Sequence, residues 1–164
     1  PYGFGLAYYG ERFDNGNPIE ESWINRKGSE NFSKLINYQD EYGSGAKRFS
    51  MGQQSNFINV EMLSSGLDQI KLWGVENIYN YITKITKPCF EILDRSKVWY
   101  EEDKYRASHL FGLKPKKNLK KILQKIANEK IYVSLRGESI RVSPSVYNKR
   151  EEVERLFKCI SENV

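Results

Sequence analysis

Between Phe57 and Ile92 the apolar positions advance in steps of three and four. Phe57, Val60, Leu63, Leu67 and Ile70 follow the polar start Gln54-Ser55-Asn56, and Gly74 ends the series. That spacing predicts a helix closed by a glycine. Val75, Ile78, Ile82, Ile85, Cys89 and Ile92 open a second series at once. All six fall on one helical stripe, which makes Cys89 a packing residue and Pro88 the point where the helix kinks or is weakest.

Further along, the periods shorten. Lys97 to Tyr100 and Ala107 to Leu113 read as strands, and Lys117 to Asn128 as a basic helix turning Leu119, Ile122, Leu123 and Ile126 inward. Ile131-Tyr-Val-Ser-Leu135 and Ser139-Ile-Arg-Val-Ser143 flank the turn Arg136-Gly-Glu138 and predict a hairpin. Asn148 is expected to cap the last helix, with Glu151 in the capping-box position and Glu152 beside it favouring the positive end of the dipole. Val153, Leu156, Phe157 and Ile160 form its buried stripe. The expected fold class is α/β, an α+β unit whose mostly antiparallel sheet is covered on one face by the helices near 75–94, 117–128 and 149–162.

The first fifty residues lack such a period. Leu6 to Tyr9 is strand-like, but Glu11 to Ser50 is polar, aromatic and rich in turn signals, among them Asp14-Asn-Gly-Asn-Pro18 and Tyr42-Gly-Ser-Gly45. A stretch of this length points to an extended arm or a set of ordered loops, and such loops are often functional. The arm is expected to be ordered only against another chain or a missing half. The opening Pro1-Tyr-Gly-Phe-Gly5, without a methionine, reads as the middle of a protein.

Composition narrows the chemistry. With 164 residues, 13% aromatic and 29% charged, the chain is long enough to bury a core and is not disordered in type. Its net charge of +5 permits anionic partners, and a solvated surface accounts for it equally well. The two cysteines form no CxxC, and the single histidine, His109, stands in an apolar run that reads as core or sheet edge. Zinc sites and serine–histidine triads have little to work with, so no metal is expected. Without a membrane-length apolar run or a leader at its start, the chain is expected in a reducing, cytoplasmic setting.

One residue stands out within the hairpin. If Ile140 and Val142 face the helices, Arg141 points to the other side of the sheet with Ser139, Ser143 and either Tyr132 or Ser134. An arginine fixed on a rigid strand suits bidentate recognition of a carboxylate or phosphate. An arginine on a solvated face, or one paired with an internal glutamate, gives the same pattern.

The run Arg141-Val-Ser-Pro-Ser-Val-Tyr-Asn-Lys-Arg-Glu-Glu-Val-Glu-Arg-Leu156 resembles the C-terminal signature of the class V aminotransferase-fold enzymes that use pyridoxal 5'-phosphate (PLP). This group includes cysteine desulfurases, selenocysteine lyases, isopenicillin N epimerase-like proteins and kynureninases. Pro1-Tyr-Gly-Phe-Gly-Leu-Ala-Tyr-Tyr9 resembles the turn and strand after the family's Schiff-base lysine. Arg48-Phe-Ser-Met-Gly-Gln-Gln-Ser-Asn-Phe57 resembles its Arg-Phe-x-x-Gly-Thr turn, and Gly74-Val-Glu-Asn-Ile78 its helix junction.

The resemblance implies the C-terminal half of a fold-type I enzyme, with 1–50 as the end of the large domain and the active-site and dimer arm, and 51–164 as the small domain. The lysine would then lie upstream of Pro1, leaving no catalytic residue in this chain. Arg141 would bind the substrate α-carboxylate. Gly52 and Gln53 would reach the neighbouring subunit's cofactor phosphate, although Gln53 stands where the family has threonine, and Ser55 or Asn56 could donate to the same group. Trp23 would pack near that phosphate. The region Leu135-Arg-Gly-Glu-Ser-Ile140 lacks the nucleophilic cysteine of the desulfurases, which argues against persulfide chemistry and leaves transamination, epimerisation or elimination.

The implied partners are an amino-acid substrate, the N-terminal half of the same enzyme and a second copy in a homodimer, with no membrane and no nucleic acid. The alternative is a non-enzymatic binding module whose basic segment, Lys114-Pro-Lys-Lys-Asn-Leu-Lys-Lys121, meets nucleic acid or an acidic protein.

Overall fold

The computed structural model describes residues 4–37, 39–52 and 56–164. Among the described residues run helices α1 (Phe57–Trp73), α2 (Val75–Thr86), α3 (Leu119–Asn128) and α4 (Arg150–Ser161). The strands are β1 (Val98–Trp99), β2 (Phe111–Pro115), β3 (Ser134–Arg136) and β4 (Ser139–Val142). The chain divides into two compact units, Pro1–Gln69 and Ile70–Val164, with the boundary inside α1.

The second unit is mixed α/β. Its strands form one antiparallel sheet in the order β1-β2-β4-β3. Alternation along β2 and β4 sends Phe111, Leu113, Ile140 and Val142 to a buried face. Ile85 of α2, Ile122 and Ile126 of α3, and Val153, Leu156, Phe157 and Ile160 of α4 join them in a single cluster. The ring of Phe90 lies edge-on to Phe157 at 5.0 Å and tilted against Phe111 at 5.1 Å, locking helix layer to sheet. The expected one-sided cover is present, and the inward stripes of α3 and α4 are the expected ones.

Several boundaries move, each for a local reason. α2 ends at Thr86 and the chain continues to Ile92 as a 3-10 helix with Pro88 in its first turn, because proline lacks the amide that an α-helix needs there. Val75 stays exposed, so burial of the second stripe begins only at Ile82. The strand expected from Ala107 begins at Phe111, since Ala107 bridges back to Leu110 in a tight turn. This turn leaves His109 exposed, neither in the core nor in a strand.

The strand expected over 131–135 is paired only from Ser134 to Arg136. Gly137, at φ +57, takes the first position of a two-residue turn into β4, a conformation that glycine adopts without strain. The cap of α4 falls one residue later than expected. The Glu152 carboxylate, not that of Glu151, accepts the Lys149 N–H at 2.8 Å, while Asn148 Oδ1 accepts the Ser145 N–H at 2.9 Å instead of capping the helix.

The first unit has a different character. Short 3-10 turns at Glu11–Phe13, Trp23–Asn25, Phe32–Lys34 and Gly45–Phe49 replace regular elements. Leu6 to Tyr9 forms no strand, and both Leu6 and Tyr8 are exposed. Among the described residues the buried side chains of this region are polar. Asn25 Nδ2 donates to the Glu20 carbonyl at 2.7 Å, and Ser29 Oγ to the Ile24 carbonyl at 2.8 Å. Arg48 donates to the carbonyls of Gly16 and Gly43, and Tyr9 stacks on Phe49 at 4.3 Å.

α1 forms where its spacing predicts, yet none of its residues is buried. Ile58, Met62 and Leu72 lie off the Val60-Leu63-Leu67-Ile70 stripe, so apolar side chains surround the helix. No helix among the described residues is long and apolar enough to cross a membrane.

Candidate functional site

Arg141 takes its position from its neighbours. Ile140 and Val142 on either side are 0% and 6% exposed, which pins β4 against the helix layer and turns Arg141 to the open face. β4 is an inner strand, so its backbone is held from both sides, by Gly112 of β2 and Ser134 of β3 opposite Arg141. Of the companions expected on this face, Ser134 is the cross-strand neighbour, while Tyr132 lies outside the ladder.

The space beside Arg141 is shaped by glycine. A Cβ at Gly112 would come within 2.6 Å of Ser139 Oγ, so any side chain there requires the serine to turn away. Lys114, two residues along β2, is paired with Glu138 at 2.8 Å, and this hydrogen bond and charge hold the Glu138 carboxyl below its ordinary range. Arg136 Nη1 donates to the Leu135 carbonyl at 2.9 Å. Among the described residues Arg141 makes no hydrogen bond or ion pair. Its guanidinium can donate to both oxygens of a carboxylate without first breaking an internal pair.

The other candidates lie in the first unit. Trp23 is 44% exposed and meets Phe32 edge-to-face at 5.8 Å. The Gly52 N–H donates to Glu20 Oε1 at 3.4 Å, so a carboxylate stands at this turn. Asn56 Oδ1 accepts the Asn59 N–H at 3.1 Å and so caps α1. Gln53 and Ser55 lie outside the described residues.

Both thiols are poorly suited to nucleophilic work. Burial, with a smaller contribution from Glu154, pushes the Cys89 thiol up to about 11, and burial raises Cys159 as well. Among the described residues no group of three or more His, Cys, Asp or Glu side chains gathers in a way that could hold a metal ion.

Arg106 has a role that the sequence pattern does not reveal. Its side chain is 7% exposed, with the guanidinium 3.6 Å from the Phe90 ring centroid. It donates to the Glu101 carbonyl at 2.6 Å and pairs with Asp103, clamping the segment before β2 onto the aromatic core. The available signal, an arginine three residues after an aspartate in a polar loop, also fits any exposed ion pair. No protein-family model matches the chain, and a search of curated proteins finds no match either.

Proposed function

We propose that this chain is the C-terminal part of a PLP-dependent enzyme of the class V aminotransferase fold, acting on an amino acid, with Arg141 receiving the substrate α-carboxylate. One observation carries the proposal. Arg141 is fixed on an inner strand by buried neighbours, and its guanidinium is unpaired among the described residues. The motifs that resemble the family, in the same order along the chain from Tyr2-Gly-Phe-Gly5 to Arg141, support it further.

The described residues do not make a phosphate site by themselves. At Gly52 an incoming phosphate would meet the Glu20 carboxylate, and Asn56, whose Oδ1 caps α1, would have only its Nδ2 to donate. No step of the reaction is therefore assigned to them. Under the proposal the cofactor is held by the N-terminal half and a partner subunit in a cytoplasmic homodimer, and this chain contributes substrate binding.

Borohydride reduction of the isolated chain with PLP is expected to label surface lysines without stoichiometry and without one preferred site. Stoichiometric labelling of a single lysine would overturn the proposal. In the intact enzyme, Arg141→Lys should raise KM sharply while leaving cofactor content unchanged, since an ammonium cannot reproduce the bidentate fork. An unchanged KM would remove Arg141 from the substrate site.

The exposed lysines 114, 116, 117, 120 and 121 support a second function, a non-enzymatic module for polyanions. Its signature would be binding to mixed-sequence oligonucleotides that weakens steeply with added salt.

A further inference from the structure

The β3–β4 hairpin is shorter than its sequence. Ile131-Tyr132-Val133 is β-branched and aromatic, a composition that favours strand. Continuing the register that sets Ser134 opposite Arg141 would bring Val133 opposite Val142 and Tyr132 opposite Ser143. The ladder ends at Ser134 instead. A cleft of about 320 Å³ opens there between the 131–133 segment, the end of β4 and the first turns of α4. That volume is within the range of small-molecule sites, roughly 300–1,000 Å³.

The cleft has an apolar floor and a cationic end. Val142, Val153 and Leu156 form the floor, and the exposed Tyr132 and Tyr147 flank it. At one end stands Lys130, which holds φ +55 where α3 gives way to the next segment. Glycine or asparagine normally fills such a position. Arg155 Nη2 donates at 2.7 Å to the Glu129 carbonyl, in the peptide bond that leads into Lys130, which anchors the Arg155 guanidinium at the backbone beside Lys130, and both residues line the cleft.

Neither cation makes an ion pair among the described residues. The lining carboxylate, Glu152, is already engaged by the Lys149 N–H and by Asn148 Nδ2 at 3.3 Å. A cation at the end of a helix also satisfies its last carbonyls. That accounts for Arg155, but not for a strained lysine where glycine would close α3, nor for the opening in the sheet.

We propose that this cleft binds a small organic anion with an apolar body, a carboxylate carried on an acyl or aryl group. The body lies on the Val142, Val153 and Leu156 floor and the carboxylate meets Lys130 and Arg155. The site is separate from Arg141, which is not part of its lining, and does not depend on the PLP assignment.

The test is amide NMR titration of the full chain with phenylbutyrate and with phenylbutanol, its neutral counterpart. Phenylbutyrate should shift the Val133, Ser143 and Val153 amides and bind about tenfold tighter than the alcohol, as expected for a charge-assisted contact. Lys130→Gly should weaken phenylbutyrate by about tenfold while preserving or raising Tm, because glycine relieves the backbone as it removes the charge. Arg155→Gln provides a second variant and should weaken the acid but not the alcohol. Equal binding of acid and alcohol, shifts confined to other surfaces, or unchanged affinity in both variants would overturn the site. In the last case the cations serve only the end of α3.

Discussion

The two units of this chain are held together by different forces. From Ile85 to Ile160 a cluster of aliphatic and aromatic side chains joins three helices to a sheet, with Val98, Leu113, Ile122, Ile140 and Phe157 fully enclosed. Before Gln69 the buried side chains among the described residues are Asn25 and Ser29, and most of the remaining order comes from hydrogen bonds, ring stacking and ion pairs at the surface. Burial of apolar area scales with size and is not screened, whereas a net hydrogen bond contributes about 0.5–1.5 kcal/mol and an exposed ion pair about 0–1 kcal/mol. The second unit therefore carries its own stability. The first exposes Ile19, Phe32, Ile36, Phe57 and Ile58, side chains that the proposed enzyme would cover with its N-terminal half and its partner subunit.

The largest expected effect tests the core. Phe157 is fully buried and its ring meets both Phe90 and Phe111, so Phe157→Ala should cost about 3–5 kcal/mol. Urea denaturation followed by far-UV circular dichroism reads that loss. A midpoint that hardly moves would mean that the second unit is not stabilised by this cluster.

Hydrogen exchange sharpens the contrast next. Amides of β4 and α4 should exchange only by global opening, and those of residues 11–50 by local opening that is faster by orders of magnitude. Uniformly slow exchange through 11–50 in a dilute monomer would show that the first unit needs no further surface.

A smaller effect is expected at Asn25. Asn25→Ala removes the hydrogen bond from Nδ2 to the Glu20 carbonyl, at a cost of about 0.5–1.5 kcal/mol, the net worth of one such bond. Limited proteolysis should speed up within the first unit while the thermal transition of the second stays in place. Equal shifts in both would show that the two unfold together.

The smallest effect concerns acid. The Lys149 amide, and after it the Asn148 side chain, hold the Glu152 carboxyl below its ordinary value of 4.5. The folded state thus favours the ionised form. Its contribution is complete above the unfolded value and fades as pH falls through the lowered one. Glu152→Gln should lower Tm slightly at neutral pH, and the gap to the native chain should close on acidification. A gap that widens toward acid would contradict the cap.

The second unit was far more legible in the sequence than the first, because periodicity records burial. Ile122 and Ile126 of α3, and Val153, Leu156, Phe157 and Ile160 of α4, recur at the spacing of a covered helix face, and they are the residues that end up enclosed. The alternation of Ile140 and Val142 likewise gives Arg141 its direction once those two face the helices, as they do. Errors arose where pairing partners decide. Ile131-Tyr132-Val133 has the composition of a strand but lacks a neighbour, and the strand expected before Phe111 is displaced by a tight turn. Spacing alone also could not show that the apolar stripe of α1 would stay uncovered, since it records which face seeks a partner and not whether the same chain supplies one. Arg106 leaves no such signal, because its packing over Phe90 is a contact between residues sixteen apart that no local period records.

The two margins of the sheet have a further consequence. β1 is two residues long and β3 three, and each is flanked by charge, from Arg95 and Lys97 on one side and from Arg136 and Glu138 on the other. Short, charged margins give a passing chain little backbone to template on, which is how folded proteins keep their sheets from propagating into aggregates. A molecule with so much greasy helix surface thus has a strong incentive to associate, but a poor start for amyloid-like growth.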